Sequence, residues 1–206
     1  MIIKVCGMRD TENIKALQAL DVDWMGLIFF EKSSRNVAQL ETIDTRTPRV
    51  GVFVNEDLAT IFMKIKKYDL TIIQLHGEEK PAFCEALKQS PFGEKGKIIK
   101  VFSAHQEFDF ERTKPYEKYC DYFLFDTKGK KRGGNGVAFD WSILKKYEGQ
   151  LPFILSGGIN EKSANAIQNI QHPKFWGIDI NSRFEIAPAF KNINKIKQFV
   201  YELRNR

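Results

Sequence analysis

The stretch Tyr122–Asn160, YFLFDTKGKKRGGNGVAFDWSILKKYEGQLPFILSGGIN, decides the fold. It opens on a short apolar run rich in β-formers, Tyr122–Phe125, and crosses a basic and then glycine-rich segment. An amphipathic segment follows at Trp141–Tyr147, and a second apolar run at Phe153–Leu155. Both runs are continuously apolar rather than alternating. That pattern implies burial on both faces, the condition of a parallel sheet covered by helices. Each run gives way to polar or small residues, Asp126-Thr127-Lys128 after the first and Ser156-Gly157-Gly158 after the second.

Working outward in both directions, the same unit recurs. Short apolar runs stand at Ile2–Cys6, Trp24–Phe29, Val50–Val54, Thr71–Leu75, Lys97–Phe102 and Phe175–Ile178, making eight with the two above. Between them the spacing predicts helices over Thr11–Leu20, Val37–Ile43, Asp57–Lys66, Lys80–Lys88, Phe108–Lys118, Trp141–Tyr147, Glu161–Asn169 and Asn192–Arg204. Asp10 or Thr11 caps the first and Asn160 the seventh. Eight βα units predict closure into an α/β fold, a compact (β/α)8 TIM barrel formed as one domain by residues 1–206, short against the usual length of about 250. The rival, a doubly wound open sheet, would carry GxGxxG after the first strand or GxxxxGK[ST] elsewhere. The first strand instead runs into Cys6-Gly7-Met8-Arg9, and neither motif occurs.

Composition narrows the function classes. With 206 residues, 43% of them apolar and 28% charged, the chain is an ordinary globular one. Three scattered cysteines, Cys6, Cys84 and Cys120, indicate neither a disulfide framework nor a cysteine metal site, and the expected location is the cytoplasm. Cys84 and Cys120 read as core or half-exposed residues without a role. The longest apolar stretch, Trp24–Phe30, is too short to cross a bilayer, so no membrane association is expected. The formal charge of +6 arises mostly from lysines spread along helices, and only Lys128–Arg132 clusters. Nucleic-acid binding would want clustered cations interleaved with exposed aromatics, whereas the 17 phenylalanines lie mainly inside apolar runs.

In a parallel barrel the chemistry sits where strands end. Cys6 closes the first strand, where a thiolate could act as base or nucleophile, although a buried inert thiol is the commoner state of a free cysteine. Asp126 follows Phe123-Leu124-Phe125, at an apolar rim that favours a general acid; a cap or an ion pair with Lys128 is the alternative. Ser156-Gly157-Gly158-Ile159-Asn160 has the make-up of a phosphate-gripping turn, and Asn181-Ser182 after the eighth strand supplies a second set of small polar residues, as paired phosphate contacts in this fold require. Arg35 could pair with a substrate carboxylate or be solvated in its loop, and His76 could bond substrate or cap its loop. His76, His105 and His172 are too widely spaced for a histidine metal site. Gly133–Gly136 reads as a loop over the site or as surface.

The segments KVCGMRD (4–10), GLIFFEKSSR (26–35), VGVFVNE (50–56), QLHGEE (74–79), FDTK (125–128), GGNGVAFDW (133–141), LSGGI (155–159) and GIDINSRFE (177–185) closely resemble the phosphoribosylanthranilate isomerase family of tryptophan biosynthesis, in order and spacing. The resemblance implies an aldose–ketose isomerase that carries out an Amadori rearrangement of a phosphorylated small molecule with no metal and no organic cofactor. It implies Cys6 as general base and Asp126 as general acid, Arg35 against the anthranilate carboxylate, and His76 and Asp179 along the same pocket. It further implies a phosphate held by backbone amides of Gly157, Gly158, Asn181 and Ser182. Monomer and homodimer both fit the family. Other phosphosugar barrels are the alternative enzymes, but a strand-end lysine and glutamate or metal-binding histidines would then be expected, and neither set is evident. Three departures stand out: Arg183 where a small residue is usual, Pro188-Ala189 in place of Pro-Gly, and the absence of a proline ahead of Arg35.

Overall fold

The computed structural model describes residues 1–37, 40, 45–127 and 141–205. Its eight parallel strands are β1 (Ile2–Cys6), β2 (Trp24–Ile28), β3 (Arg49–Phe53), β4 (Ile72–Leu75), β5 (Lys97–Ala104), β6 (Tyr122–Thr127), β7 (Phe153–Ser156) and β8 (Phe175–Ile180). They pair in sequence order, and β8 returns to β1 to close the barrel. All eight expected strands are present. Four extend past their apolar runs, to Ala104, Thr127, Ser156 and Ile180, because the strand ends facing the barrel mouth carry polar side chains.

The two faces of each strand feed two cores. Inside the barrel lie Cys6, Trp24, Val50, Val52, Ile72, Ile99, Val101, Leu124 and Ile154. The opposite parity, with Ile3, Val5, Met25, Leu27, Ile73, Phe123, Phe125, Phe153 and Ile178 among its members, packs outward beneath the helices. Both faces of the sheet are thus dry, which is what continuous apolar runs require.

Helices α1 (Thr11–Gln18), α2 (Leu58–Tyr68), α3 (Pro81–Gln89), α4 (Ala164–Gln168) and α5 (Ile193–Arg204) cover the sheet. Asp10 caps α1 by accepting the Asn13 N–H at 2.8 Å, and Asn192 caps α5 by accepting that of Lys195 at 3.0 Å. Asn160 accepts the Lys162 N–H at 2.9 Å while the Ser163 hydroxyl accepts that of Asn160 at 3.1 Å. Three expected α-helices are tighter. Phe110–Tyr116 and Trp141–Lys146 are 3₁₀ helices, and Glu161–Ser163 is a 3₁₀ turn leading into α4. Pro115 sits within the first of these and removes a backbone donor that a longer α-helix would use. The helical pattern over Val37–Ile43 lies partly outside the described residues; Lys128–Arg132 and Gly133–Gly136 lie wholly outside them.

After β8 the chain makes one 3₁₀ turn, Ser182–Phe184, and a small antiparallel hairpin, β9 (Glu185–Ala187) and β10 (Phe190–Lys191), before α5. The hairpin is absent from the sequence reading. Its turn places Ala189, the residue standing for the family's glycine, at φ +66° and 2% exposed. The turn therefore does demand positive φ, a conformation that costs a residue with a Cβ about 1–2 kcal/mol. Cys84 on α3 and Cys120 ahead of β6 are both buried.

Candidate active site

Strand register builds a polar belt near the C-terminal end of the barrel. Ser103 of β5 is level with Asp126 of β6, Asp126 with Ser156 of β7, Ser156 with Asp179 of β8, and Asp179 with Lys4 of β1. The Lys4 ammonium, wholly buried, lies 2.9 Å from Asp179 Oδ1, and the Ser156 hydroxyl reaches Asp179 Oδ2 at 3.4 Å. Asp179 was expected as a pocket residue; it is 6% exposed and salt-bridged to Lys4.

Cys6 lies one inward step beyond Lys4 on β1, at the mouth side of the belt. Gly26 of β2 makes its space: a Cβ there would stand 2.8 Å from the Cys6 sulfur. Burial pushes the Cys6 thiol above its ordinary range and Asp179 adds to this, while Lys4 and Lys191 pull it down without prevailing. The Lys4 ammonium is correspondingly held up: burial works against it, and Asp179 and Cys6 overcome that.

Across the mouth, Asp126 faces His76, with Nε2 3.7 Å from Oδ2. The Gln74 side-chain amide lies 3.3 Å from His76 Nδ1. His76 is thus joined to Asp126 rather than isolated at its loop. The turn after β7 crosses immediately above: Gly157 and Gly158 have φ of +92° and +68°. A Cβ on Gly157 would fall 2.2 Å from the Thr127 carbonyl oxygen and 2.8 Å from Asp126 Oδ1, so glycine here lets the turn pass over the acid as well as present its amides. Asn181 uses its side-chain oxygen to accept from Lys191 at 2.6 Å, and Ser182 begins the 3₁₀ turn that follows.

Arg35 reaches the site from the loop after β2, its Cδ 2.9 Å from where a Cβ on Gly7 would be. Its guanidinium is bound by Glu185, with Nε 2.9 and 3.0 Å from the two carboxylate oxygens and Nη2 2.6 Å from Oε2. Glu185 holds the arginine charge firmly. Burial raises the Glu185 carboxyl, but Arg35 and Lys191 outweigh it and keep the group ionised. The cysteine is therefore surrounded by three cations, Lys4, Arg35 and Lys191, against two carboxylates.

A thiol and a carboxyl thus face one polar mouth, beside an arginine fork and a positive-φ double glycine. The model of N-(5′-phosphoribosyl)anthranilate isomerase matches residues 3–202. The chain belongs to the phosphoribosylanthranilate isomerase family. The isomerase of Parabacteroides distasonis is 45% identical over 98% of this chain and 93% of its own, and that of Phocaeicola vulgatus 45% over 100% and 99%. A crystal structure of the Thermotoga maritima isomerase superposes with a TM-score of 0.81 at 29% identity, covering all of both chains. A further isomerase structure, solved with reduced 1-(o-carboxyphenylamino)-1-deoxyribulose 5-phosphate, gives 0.79 at 26%, again over all of both chains. This chain is accordingly an aldose–ketose isomerase of tryptophan biosynthesis, converting N-(5-phosphoribosyl)anthranilate to 1-(2-carboxyphenylamino)-1-deoxyribulose 5-phosphate.

Three residues of the isomerase mouth escaped the sequence reading: Glu185, Lys191, and Lys4 as a buried cation. For Lys4 a signal existed, since a lysine centred in the run Ile2–Cys6 with Ile3 and Val5 facing outward must point into the barrel. Arg183, a departure from the family pattern, is exposed, and its backbone carbonyl accepts from Lys195 at 2.8 Å. Among the described residues no helix is long and apolar enough to cross a membrane.

Proposed function

We propose that Cys6 and Asp126 divide the proton transfers of the Amadori rearrangement. Asp126 gives its proton to the furanose ring oxygen as the bond from that oxygen to C1′ breaks, and the nitrogen lone pair forms the iminium. Cys6, as thiolate, then takes the proton from C2′, and the electron pair released neutralises the iminium to an enolamine, which tautomerises to the ketone. No electron leaves the substrate, so the steps call for neither metal nor organic cofactor. The observation that carries this reading is the belt itself: thiol and carboxyl project from β1 and β6 into one mouth lined by Asp179, Lys4 and Ser156. Burial pushes the Cys6 thiol up while Lys4 and Lys191 pull it down, and the positive charge of the iminium further favours the thiolate that takes the C2′ proton.

The same reading assigns the remaining contacts. His76, 3.7 Å from Asp126, lines the same pocket. Arg35 takes the anthranilate carboxylate, a planar acid suited to a planar fork. Backbone amides of Gly157, Gly158, Asn181 and Ser182 hold the phosphate. The enzyme works as a single barrel in the cytoplasm, as a monomer or a homodimer, a point that light scattering on the purified chain decides.

The deciding assay generates phosphoribosylanthranilate in place and follows its fluorescence loss with excess chelator present. Rapid loss is expected, unchanged by chelator and abolished by Asp126→Asn and Cys6→Ser. Unimpaired turnover by either variant overturns the assignment of its role.

A further inference from the structure

Arg35 is not a loose loop arginine. Its Nε–Nη2 edge is filled by Glu185, and none of its hydrogen bonds among the described residues involves Nη1. Glu185 is itself fixed from behind: Lys191 Nζ donates to Oε1 at 2.6 Å, and the backbone N–H of Ala189 at 3.1 Å. Lys191 extends the chain of contacts to Asn181 Oδ1 at 2.6 Å. Its backbone is clasped from α1 by Asn13, which accepts the Lys191 N–H at 2.7 Å and donates to its carbonyl at 2.9 Å. The Lys191 and Glu185 side chains are 0% and 5% exposed, against 23% for Arg35. The arrangement runs from a rigid interior to a half-open guanidinium.

We propose that Glu185, seated by Lys191, is a positioning residue that turns the end of the Arg35 fork, Nη1 with the outer hydrogen of Nη2, toward the aryl carboxylate of the substrate. The proposal rests on the reading that Arg35 binds that carboxylate. Two roughly parallel N–H bonds from one planar end require the guanidinium to lie in the plane of the acid. An arginine free to rotate must be frozen into that plane on binding, and Glu185 does the freezing beforehand. The strained backbone at Ala189 serves the same end, since its N–H is one of the three groups that hold Glu185.

Glu185→Gln separates orientation from charge. Burial already draws the Lys191 ammonium below its ordinary range, and Glu185 is the main group pulling it back. With the carboxylate gone, burial draws the Lys191 ammonium down with less opposing it, so the lost negative charge is offset in part by a weaker positive one. What remains is a fork without its brace.

The test measures binding by calorimetry of two ligands, the reduced ketose product and its phenylamino counterpart lacking the carboxylate, to wild type, Glu185→Gln and Arg35→Met. Glu185→Gln is expected to weaken the carboxylated ligand about tenfold, which is 1.4 kcal/mol, and to leave the carboxylate-free ligand unchanged. Arg35→Met should discriminate in the same sense and more strongly. Equal effects of Glu185→Gln on both ligands, or none on either, with Arg35→Met still discriminating, overturn the positioning role alone. An Arg35→Met variant that fails to discriminate overturns the carboxylate reading and the proposal with it. Should Glu185→Gln not fold, Glu185→Asp keeps the charge and the Lys191 partner but shortens the brace, and a smaller loss confined to the carboxylated ligand is expected.

Discussion

Gly26→Ala tests whether the space around the Cys6 sulfur is part of the catalyst. A Cβ at residue 26 would lie 2.8 Å from the Cys6 sulfur, 3.0 Å from its Cα and 3.2 Å from its Cβ. Comfortable contact between such atoms begins near 3.5 Å, so the sulfur or the strand must give way by roughly 0.7 Å or more. Two of the three neighbours belong to β1 rather than to a flexible side-chain end, which makes relief expensive. Overpacking of this kind costs about 1–3 kcal/mol, and for a chain of this size each kcal/mol lowers Tm by about 2–4 °C. The kinetic effect should be larger: displacing a reacting group by about 1 Å can cost about a hundredfold in rate. Affinity for the reduced product, anchored by its phosphate and carboxylate, should hardly change. The assay pairs kcat/KM with urea unfolding, and repeats the unfolding in a Cys6→Ala background. There the sulfur is absent, and part of the stability cost should disappear, by an interaction energy of about 1 kcal/mol. Wild-type turnover by Gly26→Ala, or the same stability cost in both backgrounds, refutes the argument that this glycine exists to seat the thiol.

Three further outcomes follow from buried polar groups. Lys100 faces outward from β5, where it bonds Glu79 at 2.9 Å and the Gly77 carbonyl at 2.7 Å, with both side chains nearly sealed; Lys100→Met leaves that carboxylate unpaired and should cost about 3–5 kcal/mol in urea unfolding, against a result near zero if the pair is ornamental. Burial holds the Tyr147 phenol above its ordinary 10, so the unfolded chain releases this proton first; stability should be intact below pH 10 and fall as pH climbs beyond it. Tyr147→Phe should flatten that alkaline fall while losing about 1 kcal/mol at neutral pH with the 2.8 Å bond to the Leu151 carbonyl, and an unchanged alkaline slope in denaturant titrations contradicts the assignment. At Ala189, valine should destabilise by about 2 kcal/mol or more through its branched Cβ at positive φ, whereas glycine should stay within about 1 kcal/mol of wild type because relief of strain is offset by a lost buried methyl; thermal melts of the two variants decide it.

The barrel was legible because parallel strands buried on both faces leave an unambiguous mark, and eight such marks appear in order. What blurred was the boundary at the mouth. Asp126, Ser103 and Asp179 belong to strands, yet they interrupt the apolar runs because the barrel interior turns polar where substrate must enter. The helical segments failed differently. Phe108–Lys118 contains Pro115, and a helix shortened to 3₁₀ turns shows the same sparse periodicity as a weak α-helix. The hairpin Glu185–Lys191 is two and three residues a side and is fixed mostly by Glu185 and Asn13, contacts that are 6 and 178 residues from Lys191 along the chain.

The site divides along the same line. The candidate groups proposed to act on substrate stand at strand ends, where topology alone singles them out: Cys6, Asp126, His76, the glycines after β7. Groups that hold those residues in place are found only in three dimensions, because their residue types argue for the opposite environment. Lysine is by default a solvated residue, yet Lys4, Lys100 and Lys191 are the interior cations of this barrel. Parity shows how differently one residue type is used. On β1 the even positions face inward and put Lys4 beside the thiol; on β5 they face outward and put Lys100 under α3, bracing the loop that carries His76. Each buried lysine is matched to a carboxylate within 2.9 Å. Charge that is costly to bury is thereby converted into fixed orientation. On this argument the strand-end candidates were the readable half of the site, and the buried ion pairs behind them were the half that only the folded chain displays.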